Sequence, residues 1–255
     1  MITIREYVRP ATLEEAWALN QKRTSRVLGG MLWLKMQNLP VGTAIDLSAL
    51  GLDTIDETPE GFAVGAMVSL RALETHAGLN EYTNGAMREA LRHIVGVQFR
   101  STATVGGSVY GRFGFSDVLT MLLAVNASVE LYKGGILPLE RFAEMPFDRD
   151  ILVRVHIPKE RAAFCYQSVR PTQTDFPSLT CAAARLENGQ YRFAIGARPG
   201  RAVLFPMQGA PEDMPERIAS QLAVGSNLRG SAAYRTHLAA VLVRRAAETL
   251  EGGAL

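Results

Sequence analysis

The sequence predicts an α+β protein, in which helices and strands are mixed along the chain. Its 255 residues are 47% apolar and 20% charged, which is the composition of a protein with a buried core. Two glycine-containing hairpin signals, at residues 132–136 and 188–189, indicate strands that pair with their neighbours in the chain. At a usual domain size of roughly 100–150 residues, this length suggests two domains or one large one.

The first fifty residues predict a small α/β unit. Thr12-Leu13-Glu14-Glu15 is a capping box, which predicts a helix that runs through Leu19. The apolar pair Val27-Leu28 predicts a short strand, and Gly29-Gly30 ends it. The alternation of apolar and polar side chains over residues 43–47 predicts a second strand.

The next stretch continues with a strand and two helices. Residues 62–66 predict the strand, and Ser69 begins the first helix. The second helix is predicted from apolar positions at helical spacing, which are Met87, Leu91, Ile94 and Val95. We expect a loop over residues 96–108, with an extended segment before Thr104.

A capped helix and a hairpin follow this loop. Ser116 is a good N-cap for a helix over residues 117–125. Residues 128–132 lead through Lys133-Gly134-Gly135 into Ile136, which is typical of a hairpin. A strand over residues 151–157 ends at Pro158.

The composition becomes rich in alanine after Pro158, which indicates that a separate domain begins near residue 160. Asn188-Gly189 predicts a hairpin that joins strands over residues 179–186 and 191–196. A final amphipathic helix is predicted over residues 231–251, and Gly252-Gly253 ends it.

Charge and cysteine content exclude several classes of function. With 27 Lys and Arg against 25 Asp and Glu, the net charge of +2 gives no field that favours nucleic acid as a partner. Cys165 and Cys181 are too few for a disulfide framework and lack metal-binding spacing, so we expect inert, reduced thiols. No signal peptide and no apolar run of about 18 residues is present, so we expect a cytoplasmic protein without membrane contact.

Two glycine pairs are the candidate ligand-binding elements, in Leu28-Gly29-Gly30-Met31-Leu32 and Thr104-Val105-Gly106-Gly107-Ser108. A glycine pair has no Cβ to block a bulky ligand or a positive φ, and its successive N–H groups can point at phosphate oxygens. Two such loops could hold one pyrophosphate. The alternative is that each pair only makes a tight turn, and neither pair matches the Rossmann or P-loop glycine patterns.

Other catalytic patterns are missing from the sequence. The four histidines, at positions 76, 93, 156 and 237, are scattered without an HExxH or Cys/His cluster, so no metal ligand is predicted. No Gly-x-Ser-x-Gly elbow is present. We therefore predict no catalytic residue in this chain.

The second glycine pair belongs to a longer run that resembles a known flavin-binding motif. Residues 104–108 are followed nine residues later by Asp117 at the predicted start of a helix. This spacing is similar to the second flavin motif of the FAD domain in molybdopterin dehydrogenases, and residues 26–35 resemble the first. Residues 228–235 and 241–246 resemble the family's C-terminal flavoprotein domain. Over nearly its whole length, the chain resembles the FAD-binding (medium) subunit of the xanthine dehydrogenase and carbon monoxide dehydrogenase family.

The resemblance implies a fold and a division of the chain. It implies a two-subdomain FAD-binding fold of the vanillyl-alcohol-oxidase (PCMH) type, with subdomains at residues 1–55 and 56–159. A C-terminal α+β domain of the carbon monoxide dehydrogenase flavoprotein type would cover residues 160–255.

The resemblance also implies which residues bind FAD. The first motif would wrap the diphosphate and adenosine half with Val27, Leu28, Gly29, Gly30, Met31, Leu32, Trp33 and Leu34. The second would embrace it from the other side with Thr104, Val105, Gly106, Gly107 and Ser108. Further contacts are implied for Ile94, Asp117 and Leu152, although Ile94 and Leu152 could equally be ordinary core and Asp117 only a helix-start residue.

Three positions depart from the family pattern. Residues 31–33 are apolar where relatives often have polar side chains, so backbone amides must bind the phosphates there. Ser108 replaces the usual Asn and reaches less far. Gln167 falls roughly where many relatives have a flavin-contacting Lys.

The function implied is that of the medium subunit of a molybdenum hydroxylase. Substrate is oxidised at a molybdopterin-binding large subunit, and electrons pass through [2Fe–2S] clusters of a small subunit to FAD and on to NAD⁺ or another acceptor. With only two cysteines, the chain should carry no iron–sulfur cluster itself. A self-sufficient flavin oxidoreductase and a non-catalytic scaffold that has lost FAD remain as alternatives, the latter because of Met31, Ser108 and Gln167.

Overall fold

A computed structural model describes residues 1–252, whose strands form three sheets. The first sheet is parallel, in the order β1-β3-β2, with strands β1 (Thr3–Val8), β2 (Arg26–Leu28) and β3 (Pro40–Asp46). Helix α1 (Leu13–Asn20) connects β1 to β2, and the hydroxyl of Thr12 accepts a hydrogen bond from the Glu15 amide at 3.1 Å. The predicted helix and both predicted strands of this unit are therefore present, whereas β1 was not predicted.

The second sheet is antiparallel, in the order β4-β5-β8-β6-β7. Its strands are β4 (Ile55–Glu57), β5 (Gly61–Gly65), β6 (Ser128–Leu131), β7 (Gly135–Pro138) and β8 (Leu152–Pro158). Strands β6 and β7 form the predicted hairpin. The sheet packs through its buried apolar side chains against the helices that connect β5 to β6.

Most of the helices lie between strands of the second sheet. They are α2 (Leu70–Thr75), α3 (Ala77–Tyr82), α4 (Ala86–Arg92), α5 (Val97–Thr102), α6 (Val105–Tyr110), α7 (Asp117–Ala124) and, between β7 and β8, α8 (Leu139–Glu144). The hydroxyl of Ser116 caps α7, as the sequence predicts. The hydroxyl of Ser69 caps α2, which begins one residue after the predicted start.

Two sequence predictions in this region are wrong. Residues 96–108 are not a loop, because they form α5 and the start of α6, so a helix and not an extended segment precedes Thr104. Helix α4 ends at Arg92, before the apolar pair Ile94 and Val95, because Val95 has a left-handed φ of +51° that an α-helix cannot contain. Ile94 still packs against the core, which explains why the apolar spacing extends beyond the helix.

The third sheet is antiparallel, in the order β12-β11-β10-β9, and helices cover both of its faces. Its strands are β9 (Ala162–Val169), β10 (Leu179–Leu186), β11 (Tyr191–Gly196) and β12 (Val203–Met207), followed by α9 (Met214–Gln221) and α10 (Ala232–Gly252). Strands β10 and β11 form the predicted hairpin, in which Gly189 takes a φ of +79°.

Side chains alternate between the two faces of β10. Cys181 and Ala183 pack with α9 and α10, whereas Ala182 and Ala184 pack with α7 and join the core of the second sheet. The α+β class predicted from the sequence is confirmed. The end of the predicted domain and the second residue of Gly252-Gly253 fall among residues 253–255, outside the described part of the chain. No helix within residues 1–252 is both long enough and apolar enough to cross a membrane.

Both cysteines are free and buried in the third sheet, so we expect neither thiol to react in the folded chain. Burial raises the pKa of Cys165 to about 12, which leaves almost no nucleophilic thiolate at neutral pH. Iodoacetamide at pH 8 should therefore leave the native chain unmodified, whereas both thiols should react in guanidinium. Alkylation of the native chain at the rate of a free thiol would contradict this expectation.

Candidate functional site

A cavity of about 800 Å³ is lined by residues of the first two sheets, by their connecting helices and by the segment that follows β9. Its walls come from the loop after β2, from α6 and the turn that leads into α7, from the segment before β8 and from the residues after β9. We call this last segment, residues 170–176, the strap. The volume falls within the range of sites that hold drug-sized or cofactor-sized ligands.

Most of the predicted cofactor residues line this cavity. They are Val27, Leu28, Gly29, Gly30, Met31, Leu32, Trp33, Leu34, Ile94, Thr104, Gly106, Gly107, Ser108, Asp117 and Leu152. Two others do not line it. The side chain of Val105 is fully buried in the core, and Gln167 lies on β9, where it lines a separate and more open cavity at the surface.

The two glycine pairs pack directly against each other. A Cβ on Gly29 would lie 2.6 Å from the Thr104 hydroxyl oxygen, and a Cβ on Gly30 would lie 2.0 Å from the carbonyl oxygen of Thr102. Glycine is thus required here by close approach. None of the four glycines has a positive φ, and only Met31 in the first segment is left-handed, with a φ of +58°.

The amides of the second glycine pair are already used within the protein. The Val105 and Gly106 N–H groups donate to the carbonyls of Val68 and Ala66 at 2.9 and 2.8 Å. The Gly107 N–H donates to the Thr104 hydroxyl at 3.1 Å. These bonds cap helix α6 and leave these three amides no hydrogen to offer a ligand.

The backbone N–H groups from Gly30 to Trp33, in contrast, are free of hydrogen bonds within the described part of the chain. Among residues 1–252, no carbonyl or side chain accepts a hydrogen bond from the N–H groups of Gly30, Met31, Leu32 or Trp33. A left-handed residue within a run of free N–H groups forms a concave nest that binds anions. This part of the cavity wall can therefore bind phosphate through backbone N–H groups. The side chains of residues 31–33 are apolar and could not do so.

One part of the cavity wall is polar, and we call it the polar end. Arg149 donates from its guanidinium to the carbonyls of Asn20 and Lys22 at 2.9 and 2.8 Å, and Asn20 donates back to the Arg149 carbonyl at 2.9 Å. The hydroxyl of Ser25, which lines this end, is buried and has no hydrogen-bond partner in the described part of the chain. A buried hydroxyl without a partner is costly, so a polar ligand group at this position would stabilise it.

A second part of the cavity wall is aromatic, and we call it the aromatic end. The Trp33 ring lies 5.5 to 6.5 Å, centroid to centroid, from four phenylalanine rings, those of Phe99, Phe113, Phe115 and Phe176. Phe176 belongs to the strap, and its ring is 4.4 Å from that of Phe115. These rings give the cavity an apolar end that suits a flat, conjugated ligand.

Asp117 lies at this aromatic end and is 4% exposed. Its carboxylate accepts hydrogen bonds from the guanidinium of Arg170 and the hydroxyl of Tyr166. Burial raises the pKa of Asp117, and the positive charge of Arg170 opposes that rise. Asp117 and Arg170 thus form a buried ion pair, to which Tyr166 adds a hydrogen bond. The sequence analysis did not predict this role for Asp117.

Sequence reasoning missed several residues of the cavity wall. Phe113 and Phe115 lie inside the second flavin motif, so their position between the glycines and Asp117 was an available signal. Arg170 and Phe176 follow Gln167 closely, but nothing local indicates that the strap turns toward the cavity. The same holds for Ser25. Within residues 1–252, no three His, Cys, Asp or Glu side chains form a group that could hold a metal ion.

Comparison with known proteins identifies the family. The FAD binding domain in molybdopterin dehydrogenase matches residues 3–160. YgfM of Escherichia coli (strain K12) is 25% identical over 250 residues, which cover 94% of each chain. The nicotine 6-hydroxylase medium subunit of Paenarthrobacter nicotinovorans is 25% identical over 269 residues, again 94% of each.

Solved structures show the same fold. Carbon monoxide dehydrogenase from Hydrogenophaga pseudoflava superposes with a TM-score of 0.86 at 20% identity and covers 96% of each chain. The family model matches more than half of the sequence, and the resemblance drawn from the two glycine motifs is confirmed. The chain belongs to the FAD-binding domain family of the molybdopterin dehydrogenases, whose cofactor is FAD.

Proposed function

We propose that the chain is the FAD-carrying electron-transfer subunit of a multi-subunit molybdenum hydroxylase. It would accept electrons from the [2Fe–2S] clusters of a small subunit and pass them to NAD⁺ or another acceptor. Substrate would be oxidised on a molybdopterin-binding large subunit. The family match supports this proposal, as does the similarity over 94% of the chain to a protein that is itself named a medium subunit.

The cavity carries the proposal, because its three parts fit the three parts of FAD. The free amides of residues 30–33 suit the diphosphate, the polar end with Ser25 suits the adenosine, and the aromatic end suits the isoalloxazine ring. When bound, FAD would supply the redox chemistry, since it can take up electrons one at a time from one-electron carriers and release two of them to an acceptor.

The chain's own residues would bind, orient and shield the cofactor. The nest at 30–33 would hold the diphosphate without a side-chain cation. Trp33 and Phe176 would exclude water from the aromatic end. The ion pair of Asp117 and Arg170 ties the strap to α7, which keeps Phe176 over the cavity.

Anaerobic reduction of the flavin tests the proposal. The isolated chain should bind FAD at near one per chain and stay oxidised when purines, aldehydes or aromatic heterocycles are added. The complex reconstituted with the large and small subunits should bleach with its substrate. Dithionite provides the control, because it should bleach the flavin in both samples.

Two outcomes would overturn the proposal. Bleaching of the isolated chain by an organic substrate would indicate a self-sufficient flavin oxidoreductase. A folded chain that takes up no FAD would indicate a scaffold that has lost the cofactor.

A further inference from the structure

We propose that Arg170 and Asp117 form a charge pair that sets the reduction potential of the bound flavin, with the cation favouring reduction and the anion opposing it. This inference rests on the proposed function, because it takes FAD to bind with its isoalloxazine ring at the aromatic end of the cavity. It concerns the energetics of that ring and adds a role for two residues that line the cavity and form an ion pair with each other.

The pair is buried and held rigidly. The side chains of Arg170 and Asp117 are 7% and 5% exposed, and both line the cavity. Arg170 also donates from Nη1 to the Asp175 carbonyl at 2.8 Å and from Nε to the Ser168 hydroxyl at 3.1 Å. Tyr166 donates to the Asp117 carboxylate from the other side. Neither charge can swing into solvent without breaking several hydrogen bonds.

The other basic side chains that line the cavity either lie at its polar end or carry little positive charge at pH 7. The guanidinium groups of Arg26 and Arg149 donate to backbone carbonyls of residues 20–25, at the polar end. Burial and the neighbouring Arg92 lower the pKa of His93, so this side chain is largely neutral at pH 7. Among the basic side chains that line the cavity, Arg170 is therefore the cation at the aromatic end. Arg229 does not line the cavity, although its guanidinium carbon lies 4.9 Å from the ring centroid of Phe176.

Reduction makes the ring sensitive to this pair. Reduction adds two electrons to the isoalloxazine together with one or two protons. When only one proton is added, the reduced ring gains a negative charge. A nearby guanidinium stabilises that charge and a nearby carboxylate destabilises it, more strongly in a buried site than in water. Because the two charges act in opposite directions, removing one or the other should move the potential in opposite directions.

Redox titration of the flavin-loaded chain with dithionite, against a reference dye, tests this inference. Arg170→Gln should make reduction at least tenfold less favourable, which corresponds to a potential lower by about 30 mV for a two-electron couple. Asp117→Asn should raise the potential by a similar amount. Arg170→Lys should stay near the wild-type potential. Arg245→Gln, at the neighbouring surface cavity, is the matched control and should leave it unchanged.

The results separate this inference from the proposed function. A wild-type chain without flavin contradicts the proposed function, whereas a flavin-loaded chain in which both variants shift in the same direction, or neither shifts, overturns the charge pair alone. If Arg170→Gln does not fold, the double variant Arg170→Gln/Asp117→Asn replaces it, because it leaves no unpaired buried charge. Asp117→Asn must then have a higher potential than the double variant, and an equal or lower value overturns the inference.

Discussion

Arg100→Met is expected to lower the free energy of unfolding by about 3–5 kcal/mol, because it leaves a buried carboxylate without its main partner. Arg100 and Glu74 are each 4% exposed, and the Arg100 Nε lies 2.7 Å from the Glu74 carboxylate. Arg100 also donates to the Ile94 carbonyl at 2.9 Å, which holds a wall of the cavity. Urea denaturation of the variant and the wild type measures the difference.

The pH dependence of this loss has a defined sign. Burial alone would raise the pKa of Glu74, but the hydrogen bonds from Arg100 and Arg71 outweigh it and lower the pKa below the ordinary 4.5. A lowered carboxyl pKa contributes stability above the ordinary value and loses it as the pH falls through the folded-state value. The difference between wild type and variant should therefore be largest at neutral pH and shrink below about pH 4.5.

Two further variants control this experiment. Glu74→Gln/Arg100→Met removes both charges and should recover much of the lost stability. Arg88→Met, on the exposed face of α4, should stay within about 0.5 kcal/mol of the wild type. A loss of similar size in Arg88→Met, or no loss in Arg100→Met, would show that the buried pair is not the cause.

Gly30→Ala is expected to reduce FAD affinity at least tenfold, about 1.4 kcal/mol, and to destabilise the fold by about 1–3 kcal/mol. The added methyl group would lie 2.0 Å from the Thr102 carbonyl oxygen and 3.0 Å from the Ala103 Cα, so the two walls of the cavity must separate. Flavin content after purification and titration of the apoprotein with FAD measure the effect on binding.

Gly96→Ala is the matched control for this variant. Gly96 is extended, with a φ of −159°, and a Cβ there would meet no atom within 4 Å. It should bind FAD as the wild type does. Wild-type affinity in Gly30→Ala, with the fold intact, would mean that the close approach of Gly30 to Thr102 and Ala103 does not shape the cofactor site.

Elements with local signals were predicted correctly. The caps at Thr12 and Ser116 and the hairpin at Asn188-Gly189 depend on hydrogen bonds and turn geometry within a few residues, so the sequence contains the whole cause. Helix α6 was missed for the opposite reason. Glycine is a poor helix former, and the carbonyls that cap this helix belong to Ala66 and Val68, far away in the chain.

For the candidate site, too, some features follow from the sequence and others do not. The sequence by itself determined the family and the FAD cofactor, because the two glycine motifs are recognised from residue type and spacing. The division into segments 1–55, 56–159 and 160–255 and the roles of individual site residues remain predictions.

Only the tertiary structure decided which groups are free to act. In the folded chain, the N–H groups of Val105, Gly106 and Gly107 donate hydrogen bonds within the protein, whereas those of residues 30–33 have no partner in the described part of the chain. It also paired Asp117 with Arg170, 53 residues later in the chain, and placed Phe176 over the cavity. Such pairings follow from how β9 and its strap pack against α7, and no short stretch of sequence contains that information.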